Sequence, residues 1–300
     1  MSYKIKCDFK EKLIEIDIAR FIGSFTPLLG TAYYLETPNE QLTGADLLTD
    51  DTNGILVYIQ AKVSQGLKTI TSFDSSARKN RSKLEDIREF RDNILLDIND
   101  EYFLYFQLRK KASKADDFQH NILMNYANNG FSHAFYVAPL IIEKKEYEKQ
   151  FLEFSNSLKN PFYFHNYELK EKNWTSYYGF IPFLRNHISI IPHEKIDTHE
   201  HYYAYSKHGI DITWHSPEYV DNKPSRLSDK MIKIMQDYLT SDKKETIRTL
   251  ADKLLEMPIM KEYKLQLKDN KPIDIITRHG KILEEKFEIK QLLFTENIKY

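Results

Sequence analysis

The segment ILVYIQAKV, residues 55–63, constrains the fold of this chain more than any other. It is rich in β-branched and apolar residues and follows the turn-forming run DDTNG, a combination that predicts a buried β-strand. Because successive side chains of a strand point to opposite faces, Gln60 and Lys62 share one face with Leu56 and Tyr58. Two polar side chains therefore interrupt an apolar strand. The opposite face is apolar throughout, with Ile55, Val57, Ile59 and Ala61.

Strand and helix patterns alternate on both sides of this segment. A helix is expected from about Ile16, since Ile14, Ile18, Phe21, Ile22 and Phe25 then share one face. This alternation predicts an α/β fold in which a mixed β-sheet is flanked by helices. The remaining predicted elements before residue 144 are strands at 3–9, 31–37, 42–49, 101–108 and 133–141 and helices within 76–98 and 116–128.

The pattern changes after residue 144. A helix at 143–158, strands at 187–192, 201–205 and 210–215, and two later helices are expected from the spacing of apolar residues. Asp242 and Glu245 form a plausible capping box for the second of these helices, which Pro258 should end. We therefore predict a first domain over 1–144. Residues 145–300 would form a C-terminal α+β lobe, or an elaboration of the same domain, for recognition, partner binding or activation.

Charge and composition predict a soluble cytoplasmic protein. Lys and Arg total 43 against 44 Asp and Glu, so a polyanion could be bound only by a local surface. The first residues, MSYKIKCDFKEK, lack the apolar run of a signal peptide, and no stretch is apolar for the length of a membrane span. The single cysteine, Cys7, excludes a disulfide within the chain.

Asp46 and the polar pair of the central strand suggest a metal site for phosphodiester hydrolysis. A buried Lys needs an anionic partner, and Asp46 on the preceding predicted strand is the nearest candidate. Oxygen atoms of Asp46 and Gln60 suit Mg²⁺, with Mn²⁺ as a substitute, while Lys62 would orient or deprotonate a water and stabilise the phosphorane. Because Gln60 carries no charge, a second carboxylate is expected. Glu40 is the nearest, with Glu36 and Glu15 as substitutes.

The arrangement of Asp46, a turn and YIQAK resembles the PD-(D/E)xK nuclease superfamily, in the Mrr-like variant that has Gln at the central acidic position. EQLTGAD followed by VYIQAK is similar to a group of bacterial proteins with a TGAD…QAK signature, thought to be nucleases. The resemblance covers residues 36–64 well and the alternation to residue 140 loosely. Ala45 replaces the proline that the family has before its aspartate.

This resemblance implies a restriction-endonuclease-like fold and a Mg²⁺-dependent endonuclease that cuts DNA, in bacterial defence against foreign DNA. It implies that Asp46, Gln60 and Glu40 are metal ligands and that Lys62 is the catalytic lysine. A partner protein from a defence operon and a homodimer that cuts both strands are further expectations.

Two basic clusters follow the strands of the predicted site and are expected to contact DNA phosphates, which position a nucleic acid without reading its sequence. The alternative for both clusters is a solvated helix face and a polar loop. Gln119 and His120 could reach the same site, although a capping or surface role is favoured. The clusters consist of Arg78, Lys79, Arg81 and Lys83, and of Arg109 and Lys110 with Lys111 and Lys114.

Three other interpretations stay open. The strand could lie at a sheet edge, with Gln60 and Lys62 facing solvent and Asp46 capping a turn. The chain could be a non-catalytic module that binds nucleic acid or protein through a nuclease-like fold. It could also be a zinc hydrolase centred on His199 and His201, which would share a strand face within a histidine-rich stretch that includes His193, His208 and His215.

Overall fold

A computed structural model of the chain describes residues 3–18, 31–35, 50–69, 82–97, 100–113, 115–150, 182–214, 218–220 and 224–296. The described strands, in chain order, are β1 (Lys4–Ile5), β2 (Thr31–Leu35), β3 (Asn53–Ala61), β4 (Gln65–Lys68), β5 (Tyr102–Gln107), β6 (Ser132–Pro139), β7 (His187–Ile190), β8 (Tyr202–Tyr205), β9 (Thr213–Trp214), β10 (Glu218–Tyr219), β11 (Ser225–Arg226), β12 (Glu245–Thr246) and β13 (Lys290–Glu296).

The described helices are numbered in the same way. They are α1 (11–18), α2 (Lys83–Asn93), α3 (Gln119–Ala127), α4 (144–150), α5 (Pro182–Arg185), α6 (Leu227–Thr240), α7 (Ile247–Leu255), α8 (Lys264–Leu267) and α9 (Pro272–Phe287). A 3₁₀ turn at Pro258–Met260 follows α7. No helix in these ranges combines the length and the apolar composition needed to cross a bilayer.

The strands form two sheets. The first is mixed, in the order β11-β7-β6-β3-β13-β2, with β12 also pairing with the start of β3. In this sheet β3 runs parallel to β6 and antiparallel to β13. The second sheet is antiparallel, in the order β1-β4-β5-β8-β9-β10. The protein is therefore a mixed α/β structure with two sheets and flanking helices, and the α/β class is confirmed.

Among the described residues, three hydrophobic clusters hold these layers together. The largest joins Leu56 and Tyr58 of β3 to the second sheet and to α3, α7 and α9. A second cluster packs Val57, Ile59 and Ala61 of β3 against α1 and α6, on the opposite face. A third packs α2 on the outer face of the antiparallel sheet. The alternation of faces predicted for β3 is confirmed, and apolar side chains cover both faces of the strand.

Strands from both sides of residue 145 lie together in each sheet. In the mixed sheet, β13 lies between β2 and β3, and β7 pairs with β6. In the antiparallel sheet, β8 pairs with β5. The boundary predicted between 1–144 and 145–300 therefore falls within both sheets, because long-range backbone pairing joins the two halves.

Two local predictions need correction. Helix α1 begins at residue 11 rather than near Ile16, because Ile14 and Ile18 bury one helical face from its first turn onward. The capping box of Asp242 and Glu245 is wrong, since the Thr246 hydroxyl accepts the Thr249 N–H at 3.2 Å and caps α7. Helix α7 ends at Leu255, shortly before Pro258, as expected.

A buried histidine in the main cluster makes stability depend on pH. His279 is fully buried; its Nε2 accepts from the Tyr126 hydroxyl at 2.7 Å, and its Nδ1 donates to Gln291 Oε1 at 2.6 Å. Burial lowers the pKa of His279 to about 4. The unfolded chain, in which His has a pKa of about 6.5, binds a proton more readily, so acid favours unfolding between those values.

We expect the free energy of unfolding to fall as the pH drops from about 6.5 to 4, and His279→Gln to reduce that slope by up to about 1.4 kcal/mol per pH unit. Urea denaturation across this range measures the slope. His208→Gln, at an exposed position, is the control for replacing a histidine by glutamine. Equal slopes in wild type and His279→Gln would contradict this assignment.

Candidate active site

The polar pair of β3 lies in the interior of the mixed sheet. Gln60 is opposite Tyr136 in the parallel register of β3 and β6, and the Lys62 N–H donates to Val137 O at 2.8 Å just beyond the strand. Gln60 is 0% exposed and Lys62 is 4% exposed. The interpretation of β3 as an edge strand with both side chains in solvent is therefore wrong.

Gln119, at the start of α3, connects the two side chains. Its Oε1 accepts from Lys62 Nζ at 3.2 Å, and its Nε2 donates to Gln60 Oε1 at 2.7 Å. The same Nε2 also donates to the Phe287 carbonyl at the end of α9. Gln119 is buried, so the predicted surface or capping role is wrong. One carboxamide thus joins β3, α3 and α9 beside the lysine.

A carboxylate of α1 balances the charge of Lys62. Glu11 Oε1 lies 3.8 Å from Lys62 Nζ, and the Glu11 side chain is about one-third exposed while that of Lys62 is 5% exposed. Burial lowers the pKa of Lys62 and raises the pKa of Glu11, although each residue partly offsets the shift of the other. Burial thus favours the uncharged forms, and a lysine whose pKa is lowered in this way can accept a proton.

Sequence reasoning did not identify Glu11, although it considered Glu15 as a substitute acid. The two residues are four positions apart on α1 and therefore lie on the same helical face. The four-residue spacing between Glu11 and Glu15 was the sequence signal from which Glu11 could have been identified. The Phe287 carbonyl could not be found in this way, because a backbone acceptor at a helix end has no signature in the sequence.

Two of the predicted metal ligands, Asp46 and Glu40, lie outside the described residues, as does the substitute Glu36. Gln60 is in place, but its oxygen already accepts one hydrogen bond from Gln119 and has one lone pair left. Within the described ranges, no group of three or more His, Cys, Asp or Glu side chains is placed to hold a metal. Of the three predicted metal ligands, Gln60 is the one that the described residues include.

The predicted phosphate-binding residues fall in three environments. Lys83 is the first residue of α2 and is half-buried, whereas Lys110 is exposed after β5. Arg109 is also exposed and pairs with Glu288, just after α9. Arg78, Lys79 and Arg81 lie outside the described residues, as does Lys114, which follows the exposed Lys111.

His120, His193 and His201 pack against aromatic rings. His199 and His201 precede β8, so they do not share that strand; His201 pairs with the Thr198 hydroxyl at 3.0 Å and packs on Trp214. His120, predicted as a capping residue or a member of the site, stacks between Tyr136 and Trp214 and contacts the Glu194 carbonyl at 2.7 Å. His193 also packs against Trp214, while His215 lies outside the described part.

Comparison with known protein families, with curated proteins and with solved structures finds no match to this chain. Its function is therefore argued from the site itself.

We expect Gln119→Met to lower the free energy of unfolding by about 1–3 kcal/mol, because the Phe287 carbonyl and the Gln60 oxygen lose their donor and Lys62 loses an acceptor. Urea denaturation monitored by circular dichroism measures the loss. Gln107→Met is the matched control, since Gln107 is exposed at the end of β5 and should change stability by less than about 0.5 kcal/mol. Equal effects of the two substitutions would show that the bridge contributes nothing.

Proposed function

We propose that the protein is a metal-dependent endonuclease that hydrolyses phosphodiester bonds of DNA, on a restriction-endonuclease-like fold. The observation that carries the proposal is a buried lysine at the end of an interior strand. Lys62 is held beside Gln60 by Gln119 and faces the half-buried Glu11 carboxylate. A buried lysine with a lowered pKa and a specific charge partner is typical of a catalytic group.

Lys62 would act on the attacking water and on the phosphate. Because burial lowers its pKa, its Nζ in the neutral form can take a proton from the water that attacks phosphorus. The resulting ammonium can then stabilise negative charge on the phosphorane oxygens. Gln119 fixes Nζ through its Oε1, and Glu11 supplies the opposite charge. The contacts of Lys62 with Gln119 and Glu11 support these roles.

We propose Mg²⁺, with Mn²⁺ as a substitute, as the cofactor. Asp46, Glu40 and the remaining lone pair of Gln60 Oε1 would hold it, since hard cations prefer oxygen ligands. When bound, such an ion lowers the pKa of a coordinated water and polarises the phosphate. Gln60 fits this role through the free lone pair of its oxygen, on the side of β3 that also faces Lys62 and Gln119.

The proposed setting is the bacterial cytoplasm, in defence against foreign DNA. Arg109 and Lys110 are exposed beyond β5 and would contact DNA phosphates, together with Lys83 and the basic residues that precede it. A second copy of the chain, or a protein from the same operon, would allow both DNA strands to be cut. These assignments rest on the resemblance at residues 36–64.

The test is incubation of the purified protein with plasmid, single-stranded DNA and RNA, in Mg²⁺, in Mn²⁺ and in EDTA. Wild type should cut DNA only with a divalent ion. Asp46→Ala should abolish cutting, while Asp51→Ala, which removes an exposed carboxylate five residues later in the sequence, should not. Absence of cleavage of every substrate, or cleavage by Asp46→Ala at the wild-type rate, would rule out this site.

A second candidate is a non-catalytic binding module. The hydrogen bonds of Gln60 favour this candidate. Its Nε2 donates to Ala61 O and its Oε1 accepts from Gln119, so protein groups alone provide partners for both ends of the carboxamide. Such a module would bind nucleic acid or a partner protein in EDTA. Its nucleic-acid affinity would weaken with added salt and survive Asp46→Ala. Binding with these properties and no cleavage would favour the second candidate over the first.

A further inference from the structure

Glu288, which ends helix α9, breaks two preferences of a helix C-terminus. Its φ is 55° and its ψ is 30°, a left-handed conformation in which Gly or Asn is preferred because other side chains are strained. Its negative charge also lies at the end of the helix where the macrodipole favours cations. Departures of this kind are concentrated at functional sites, where the surrounding structure compensates for them.

The Glu288 carboxylate pairs with the Arg109 guanidinium, which lies just after β5. Both side chains reach solvent, since 38% of Arg109 and 49% of Glu288 are exposed. An ion pair this exposed contributes little to stability, so it does not offset the backbone strain at residue 288. The pair therefore joins an unfavourably placed carboxylate to a cation that is assigned to DNA phosphates.

This ion pair lies beside the buried lysine. Glu288 directly follows Phe287, whose carbonyl accepts a hydrogen bond from the Gln119 side chain. The same carboxamide accepts from Lys62 Nζ at 3.2 Å, so one peptide unit and one side chain connect residue 288 to the lysine. The charges interact as well: burial is the main cause of the lowered pKa of Lys62, Arg109 lowers that pKa further and Glu288 opposes the shift.

Each cation of the site thus has a carboxylate partner: Glu11 for Lys62, and Glu288 for Arg109. Glu288 is the more exposed carboxylate, at 49% against 35% for Glu11, so it can turn into water more readily. A phosphodiester carries the same charge as a carboxylate, and the guanidinium fork binds both groups through paired N–H donors. A phosphate can therefore replace Glu288 on Arg109 without changing the charge balance.

We propose that the Glu288 carboxylate occupies the place of a substrate phosphate on Arg109, and that a phosphodiester of the nucleic acid displaces it. The phosphate then lies between Arg109 and Lys62, with Glu288 turned into solvent. This inference rests on the proposed nuclease function and specifies how its site selects a polymer. A single phosphate ion must compete with a carboxylate that is tethered to the chain, whereas a polymer gains further contacts from neighbouring cations such as Lys110.

The test measures DNA affinity in EDTA, so it does not depend on cleavage. Fluorescence anisotropy with a labelled DNA duplex compares wild type with Glu288→Gln, Arg109→Gln and the double variant. Glu256→Gln is the matched control, because it removes the same charge from another exposed ion pair at a helix C-terminus, the pair of Glu256 with Lys264. Thermal unfolding confirms that every variant is folded.

Glu288→Gln should bind the duplex about threefold to fivefold more tightly than wild type, because an exposed ion pair no longer competes for Arg109. Glu256→Gln should change the affinity by less than about twofold. In the Arg109→Gln background the gain from Glu288→Gln should disappear, and the slope of log affinity against log salt concentration should fall by about 0.9, as for one lost phosphate contact. Equal affinity of wild type and Glu288→Gln, or the same gain with and without Arg109, would overturn the inference.

Cleavage assays on the same proteins separate this inference from the proposed function. The expected affinities without cutting in Mg²⁺ or Mn²⁺ support the phosphate site and count against the nuclease. Cutting by wild type with no gain of affinity in Glu288→Gln overturns the inference alone. If no protein binds the duplex, isothermal titration calorimetry with inorganic phosphate decides: binding that is tighter in Glu288→Gln than in wild type and absent in Arg109→Gln supports the site, and any other result overturns it.

Discussion

Lys62→Met should reduce the rate of DNA cleavage by about a hundredfold to a thousandfold, the cost of removing one preorganised group that stabilises developing charge. The substitution keeps most of the aliphatic stem and removes only the buried ammonium. Gln119 Oε1 loses its donor and Glu11 loses its charge partner, but the Glu11 side chain is about one-third exposed, so water can solvate its carboxylate. We therefore expect the free energy of unfolding to change by less than about 2 kcal/mol.

Single-turnover cleavage with Mg²⁺ measures the loss of rate in Lys62→Met. Urea denaturation of the same samples shows whether the variant is folded, so that a loss of rate is not confused with misfolding. Lys68→Met is the matched control, since Lys68 is exposed in the next strand, where it pairs with Glu101 at 3.7 Å. It removes the same charge and should leave the rate within about twofold, as expected for a weak exposed pair. If a folded Lys62→Met variant cleaves at the wild-type rate, Lys62 takes no part in catalysis.

Arg91→Met should lower the free energy of unfolding by about 3–5 kcal/mol, since it leaves two buried carboxylates without their cation. Arg91 lies on α2 and is 0% exposed. Its Nε and Nη2 donate to Asp97 at 2.7 and 2.8 Å, and its Nη1 lies 2.7 Å from Asp211 Oδ1. The guanidinium thus holds α2 against the antiparallel sheet, where its Nη1 also donates to Thr213 at 2.9 Å.

Urea denaturation compares Arg91→Met with Arg88→Met, one turn earlier on the same helix. Arg88 is half-buried and stacks on the exposed ring of Tyr3, so its loss should cost about 1 kcal/mol or less. Adding Asp97→Asn and Asp211→Asn to Arg91→Met should recover part of the stability, because it removes both buried negative charges. An Arg91→Met variant that loses less than about 1 kcal/mol would contradict this reading of the network.

The local parts of the fold could be predicted from the sequence. The alternation in residues 55–63 identified β3 and the residues on each of its faces, since strand periodicity depends only on neighbouring residues. The strands β5 and β6 and the helix α3 were found for the same reason, within a few residues at each end, and α2 lies inside the range 76–98 in which a helix was predicted.

Long-range pairing could not be predicted. Strand β13 enters the mixed sheet between β2 and β3, although more than 200 residues separate it from either strand. Nothing in residues 290–296 indicates which strands will be its neighbours. The predicted boundary at residue 145 depended on a change of local pattern, which contains no information about such pairing.

The candidate site was predicted in part. The interruption of an apolar strand by Gln60 and Lys62 indicated the site, because buried polar groups need partners. Gln119 and Glu11 supply them from two helices, and their positions follow from the packing of α3 and α1 on opposite sides of β3. The roles of Asp46 and Glu40 stay predictions, since both residues lie outside the described ranges.

A crystal soaked in Mn²⁺ provides the most direct test that Gln60 and Lys62 belong to a metal-dependent nuclease site. Anomalous scattering locates the ion without any assumption about ligands. We predict one Mn²⁺ between Asp46 and the Gln60 side-chain oxygen, on the side of β3 that faces Lys62. No anomalous density at Gln60 in crystals of a protein that cleaves DNA with Mn²⁺ in solution would contradict it.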